Sequence, residues 1–203
     1  VLFYCDVPEE AKLFAAQRGI PALVLLRQAE GMSYLTINDY ESESQLLEYL
    51  YALGHRKILF AGNETGERYR AYRSFVERHG LSYCRCVLFS AFDFKNRDRM
   101  RELIENGQLP FTAIVCERDE MAISLLYVLD SLGFRVPEDV SVAGYDDLPM
   151  AAACTPTLTT IHHNYREIAR EAVDFLTAHG QERWEKVYVH PVVVRDSTGP
   201  SKQ

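Results

Sequence analysis

Strand-length apolar runs alternate with helical-period segments along nearly the whole chain, and no other feature constrains the fold as strongly. Strands are expected at residues 1–5, at "PALVLL" (21–26), "YLTI" (34–37), "KILFAG" (57–62), "CRCVLFS" (84–90), "AIVCE" (113–117), "VSVAGY" (140–145) and "KVYVHPVVVR" (186–195). Helices are expected between them at 8–18, 39–55, 67–80, 96–107, 120–133 and 164–179. Several close on a glycine, among them Gly19, Gly54, Gly80, Gly133 and Gly180, as helices commonly do. Leu46, Leu47, Leu50 and Leu53 recur at the spacing of one helical face. Strands alternating with helices of this length imply βαβ units and parallel sheets, an α/β fold. Pro191 inside the last run argues for an edge strand or a bulge.

With 203 residues the chain makes one large domain or two small lobes. Its net charge of −7 repels a phosphate backbone, so this stretch by itself is not expected to grip DNA. Any DNA contact is left to another segment. No apolar run reaches the roughly 18 residues needed to span a bilayer, so no membrane partner is expected. The five cysteines, Cys5, Cys84, Cys86, Cys116 and Cys154, are odd in number and scattered. They read as free thiols of a cytoplasmic protein rather than a disulfide framework. Cys84 and Cys86 are one residue too close for the usual metal-binding pair, and there is no second pair, so no metal site is expected. The chain opens on "VLFYCD" with no methionine, basic leader or cleavage site. The expectation is a fragment of a longer protein, entered mid-fold.

In parallel α/β sheets ligands bind outside the carboxyl ends of the strands. "CERD" at 116–119 and "YDD" at 145–147 both stand just past strand ends. Asp146 and Asp147 diverge if the segment is extended, so one faces a cleft and the other does not. A carboxylate there can accept two hydrogen bonds from vicinal hydroxyls, or cap the turn that follows. Arg68 opens a helix after "NETGE". It is either a ligand-gripping guanidinium or a solvated residue among Glu67, Arg70 and Arg73. Arg118 and Asp119 form a ligand pair or a local salt bridge, with Asp119 suited to N-capping the next helix. His162 and His163 are adjacent and diverge, which argues against joint metal binding, and Asn164 is a natural N-cap. His55 follows Gly54 at a helix end, where the dipole favours a cationic imidazole in a structural role. Ser197 has no base in view, and "GNETGER" lacks the lysine of a phosphate loop. No enzyme and no cofactor are expected.

Several passages in the right order resemble the LacI/GalR family of bacterial transcription regulators. They are "GIPALVL" (19–25), "LGHRKILFAG" (53–62), "RYRAYRSFVERHGL" (68–81), "FTAIVCERDEMAISLLYVLDSLGFRVPEDVSVAGYDD" (111–147), "TPTLTTIHHNYREIAREAV" (155–173) and "VVVRDST" (192–198). The resemblance implies two Rossmann-like lobes of the type I periplasmic-binding-protein kind, with the first part of the N-lobe missing. Residues 1–56 and 158–186 would form the N-terminal lobe, and 57–157 and 187–203 the C-terminal lobe. A helix-turn-helix DNA-binding domain would precede this core and is absent from the chain. The residues matching the family's effector contacts are Arg68, Asp146, Asp119, Asn38 and Asp39, the last two in inverted order. Arg118 stands where the family has asparagine, and His163 where it has glutamine or another polar residue. An arginine there narrows the pocket or adds a partner for an acidic ligand. The function implied is the ligand-sensing and dimerisation core of a cytoplasmic repressor. It would be a homodimer taking a small polar effector, a carbohydrate or sugar phosphate, between its lobes. The alternative is a solute-binding protein of a sugar transporter.

Overall fold

The computed structural model describes residues 1–4, 7–178 and 183–202. Cys5, Gly180 and the last residue of the helix expected over 164–179 lie outside the described residues. In chain order the elements are β1 (Leu2–Tyr4), α1 (Glu9–Gln17), β2 (Leu23–Leu25), β3 (Ser33–Ile37), α2 (Asp39–Ala52), β4 (Ile58–Ala61), α3 (Gly66–Arg78) and β5 (Arg85–Val87). They continue with α4 (Asn96–Glu102), β6 (Ala113–Cys116), α5 (Asp119–Ser131), β7 (Ser141–Ala143), a 3-10 turn (Pro149–Ala152), β8 (Thr160–Ile161), α6 (Tyr165–Ala178), β9 (Glu185–Tyr188) and β10 (Val192–Val193).

The chain divides into two compact units, one of Val1–Asn38 with Asn164–His190 and one of Asp39–His163 with Pro191–Gln203. The first holds a parallel sheet in the order β1-β2-β3-β9. Its core joins Leu23 of that sheet to Ala172 and Phe175 of α6, with Trp184 stacked on Phe175 at 5.1 Å. The capping reading at its helix start holds. The Glu167 N–H donates to Asn164 Oδ1 at 3.1 Å, an N-cap, and the Asn164 side-chain amide donates back to the Glu167 carboxylate at 2.8 Å.

The second unit is built on a parallel sheet in the order β5-β4-β6-β7. Its central strands are buried on both faces, which is why "ILFA" and "AIVC" read as unbroken apolar runs. Side chains alternate. Ile58, Phe60, Ala113 and Val115 pack under α2 and α3 with Leu46, Leu47, Leu50 and Phe75. Leu59, Ala61, Ile114 and Cys116 pack on the other face with Met100 of α4 and Leu125 and Leu129 of α5. The division after Asn38 differs from the boundary expected near Arg56. The leucine face of α2 supplies the reason, because it closes the core beside β4 and so travels with the second unit. Residues 158–163 likewise fall with the second unit, since the Asp146 N–H donates to the Ile161 carbonyl and Gly144 N–H to Thr159.

The single strand expected over 186–195 is two. Pro191, lacking an N–H, stands between β9 and β10, which belong to different sheets. The chain passes from one unit to the other at this proline. The helix expected to reach Gly107 stops at Glu102, and a tight turn pairs Glu105 with Gln108 through Asn106 and Gly107, both at positive φ. Ser197 is a clip, donating to the Val142 carbonyl at 2.6 Å while accepting from the Thr159 N–H at 2.8 Å. His55 is structural too. It bonds Thr112 Oγ1 at 2.8 Å and the Gly199 carbonyl at 3.0 Å, but burial pushes its pKa down, against the cationic form expected from the helix dipole.

Candidate functional site

At the carboxyl ends of β4, β6 and β7 the second unit gathers charged side chains around one arginine. Arg68 lies in the first turn of α3, and its guanidinium carbon sits 3.6 Å from the centre of the Tyr145 ring, a cation–π contact. It donates to the Glu117 carbonyl, and its second terminal nitrogen stands 3.8 Å from Asp39 Oδ1. The Tyr145 hydroxyl donates to the same Asp39 oxygen at 2.8 Å. Asp39 opens α2, Glu117 follows β6, and Tyr145 follows β7, so three strand ends and two helix starts meet here. Glu117 also accepts from the N–H and side-chain amide of Asn63 at 3.1 and 3.2 Å. Gly62 makes this possible, because a Cβ there would stand 2.8 Å from Glu117 Cβ.

Asp146 and Asp147 part at this edge. Both have positive φ, 111° and 54°, a conformation that aspartate tolerates better than most residues. The divergence therefore comes from a turn rather than from the extended segment assumed above. Asp146 lies within electrostatic reach of Arg68, with His163 Nε2 at 3.9 Å from its Oδ1. Burial raises its pKa to about 6, while Arg68 and Arg118 act in the opposite direction. Asp147 instead ties the structure together, accepting from Arg195 at 2.6 Å and pairing with His162 at 2.7 Å.

Asp119 is fully buried and does not cap the helix, since α5 starts on it and Arg118 occupies the cap position. Its carboxylate accepts from Thr160 Oγ1 and the Leu148 N–H, both at 2.7 Å. It braces the loop carrying Asp146, and burial lifts its pKa to about 6. Arg118 is exposed, and both Asp119 oxygens accept from Leu148 and Thr160 instead, so the local Arg118–Asp119 salt bridge is not what the chain makes. His163 is buried beside Tyr145, with ring centres 5.0 Å apart. Asn38 belongs to the first unit, its N–H donating to the Tyr188 carbonyl. Asp39 of the inverted pair is a member of this cluster.

Three members were missed: Tyr145, Glu117 and Glu43. Glu43 is fully buried, and neither carboxyl oxygen has a hydrogen-bond partner. Burial raises its pKa to about 8, with Arg68 opposing and Asp39 and Glu117 reinforcing the rise. A signal was present. Glu43 stands at the 0, 3, 4, 7 spacing with Leu46, Leu47 and Leu50, on the stripe that a helix turns inward. Chemically the cluster offers carboxylate acceptors and guanidinium donors side by side over an aromatic face. That combination suits a polar ligand rich in hydroxyls. Among the described residues no group of three or more His, Cys, Asp and Glu is placed to hold a metal ion.

Residues 47–198 match the family described as the periplasmic binding protein-like domain. The chain is a periplasmic binding protein-like domain of the LacI type. It is 31% identical over 170 residues to the HTH-type transcriptional repressor PurR of Vibrio vulnificus, covering 79% of this chain and 51% of that protein. It is 33% identical over 180 residues to the HTH-type transcriptional regulator CelR of Thermobifida fusca, covering 83% and 52%. The LacI-type chain thus spans about half the length of these relatives. A crystal structure of a LacI transcriptional regulator from a Rhodococcus species superposes with a TM-score of 0.78 at 28% identity, covering 98% of this chain and 77% of that one. These relatives are named as transcription regulators, and this chain has the LacI-type α/β fold with parallel sheets. No helix among the described residues is long and apolar enough to cross a membrane.

Proposed function

We propose that this chain is the ligand-sensing and dimerisation core of a cytoplasmic LacI-type repressor, and not an enzyme. DNA would be held by a separate N-terminal segment, consistent with the net charge of −7 on this part. The two compact units would be its N- and C-terminal lobes. The effector is a neutral, hydroxyl-rich molecule of the carbohydrate class. The single observation behind this is the Arg68–Asp39–Tyr145–Asp146 cluster at the strand ends. Carboxyl groups outnumber guanidinium groups there even without the protonated Glu43, with Asp39, Glu117 and Asp146 around Arg68 and the exposed Arg118. That balance favours a neutral sugar over a sugar phosphate. The roles follow from chemistry. Asp146 and Asp39 accept from ligand hydroxyls, Arg68 donates, and Arg118 and His163 border the ligand. Preferential binding to one of two conformations would shift their populations and so the DNA-bound state. The transporter alternative is not favoured, because the relatives above are named transcription regulators.

Titration calorimetry against a panel of neutral sugars, sugar phosphates and other small metabolites tests the reading. A neutral sugar should bind, Asp146→Asn should weaken it by about 10–100-fold, and Arg68→Ala should abolish it. A panel in which only phosphorylated compounds bind would reject the neutral class. Full affinity in Asp146→Asn would remove that residue from the site. Sedimentation of the chain at rising concentration tests the dimer, which should give one species of twice the chain mass.

A further inference from the structure

Glu43 has no counterpart in the roles assigned above. It lies one helical turn beyond Asp39 on the face of α2 that closes the core. Its carboxyl is completely shielded from solvent and makes no hydrogen bond through either oxygen. A buried carboxylate in that position is strongly disfavoured. Its charged and titratable neighbours come from several elements. Asp39 is on its own helix, Arg68 on α3, Cys116 and Glu117 at the end of β6, and Tyr145 after β7. The strands β8 and β10, which also touch α2, carry only Thr160, Ile161, Val192 and Val193. Arg68 is therefore the one cation among the groups acting on Glu43. It is held by the Glu117 carbonyl, a 3.8 Å approach to Asp39 and the Tyr145 face.

We propose that Glu43 is a positioning residue for Arg68. Protonated, it leaves the guanidinium spread on Tyr145 and the Glu117 carbonyl. Ionised, it draws the guanidinium inward to satisfy its own bare oxygens, because a guanidinium carries five donors and few are engaged here. The grip of Arg68 on any ligand is thereby tied to a single proton. This consequence for binding rests on the function proposed above, whereas the coupling of the two side chains does not. Burial already holds the Glu43 proton to about pH 8, so near neutrality the ligand-ready arrangement prevails and it is lost on the alkaline side.

Nitrogen-15 NMR of the arginine Nε–H groups, on the whole chain without ligand, tests this directly. The Arg68 signal is identified by its loss in Arg68→Lys. In the native chain it should move in one step centred near pH 8, and the step should vanish in Glu43→Gln, with the signal resting at its low-pH position. Glu43→Ala serves as a second variant should the amide not fold. The carbon-13 carboxyl signal of Glu43 should titrate with the same midpoint, which reads the coupling in the native chain alone. An Arg68 signal that stays flat through this range overturns the proposal, as does a step that persists without Glu43. Either failure leaves the ligand reading intact, because sugar binding and its loss in Arg68→Ala are measured separately.

Discussion

Asp147 bonds Arg195 at 2.6 Å and His162 at 2.7 Å, whereas the ion pair of Asp146 with His163 is 3.9 Å long. The two neighbours should therefore fail differently. Asp147→Ala strips a largely buried guanidinium of its carboxylate and should destabilise the chain by about 2–4 kcal/mol in urea denaturation. Asp146→Ala removes a carboxyl that burial already disfavours, and should change stability by less than about 1 kcal/mol. The pH dependence has a definite sign. Glu43 is raised from 4.5 to about 8, and Asp146 and Asp119 from 3.8 to about 6. An acid whose folded pKa is raised contributes stability that is full below its unfolded value and is lost as pH rises through the folded one. The contribution of these three acids should thus decline from about pH 4 to about pH 8, the upper part of the fall belonging to Glu43. Glu43→Gln should match the native chain at low pH and exceed it above pH 8, with a ceiling of about 5 kcal/mol. Equal denaturation midpoints at both pH values would contradict the burial of an ionisable Glu43.

Elements explain how these side chains come to meet. Gly144 follows β7 where the chain presses against Asp119, and a Cβ there would lie 2.2 Å from Asp119 Oδ1 and 2.9 Å from Leu158 Cδ2. Gly144→Ala should displace the Asp119 brace and destabilise the chain by about 2 kcal/mol or more, read as a lowered thermal midpoint. Helix α2 carries both Asp39 at its start and the leucine face beneath. Leu50→Ala should open a cavity in the core shared with Phe60 and Phe75, lowering stability by about 2–5 kcal/mol. An effect under about 1 kcal/mol would place α2 outside that core.

For the molecule as a whole, the two-unit division assigns α2 and α6 to different cores. Native-state hydrogen exchange should protect the amides of α2 together with those of β4 and β6, and the amides of α6 together with β2. The alternating α/β order, the parallel sheets and the strand ends as the place for charged residues were all legible in the sequence. Local periodicity and the right-handed crossover rule leave few other arrangements for such a pattern. Arg68, Asp39 and Asp146 could be named from the motifs they stand in. The membership of α2, the splitting of the last strand at Pro191 and the separation of Asn38 from Asp39 could not. Each depends on which of two cores an amphipathic face enters, and both cores offer apolar surface of the same kind. The structural role of Asp119 and the bare carboxyl of Glu43 were decided the same way. Hydrogen-bond satisfaction and the desolvation of a charge are properties of what surrounds a side chain in space, supplied here by Thr160, Leu148, Arg68 and Tyr145 from distant parts of the chain.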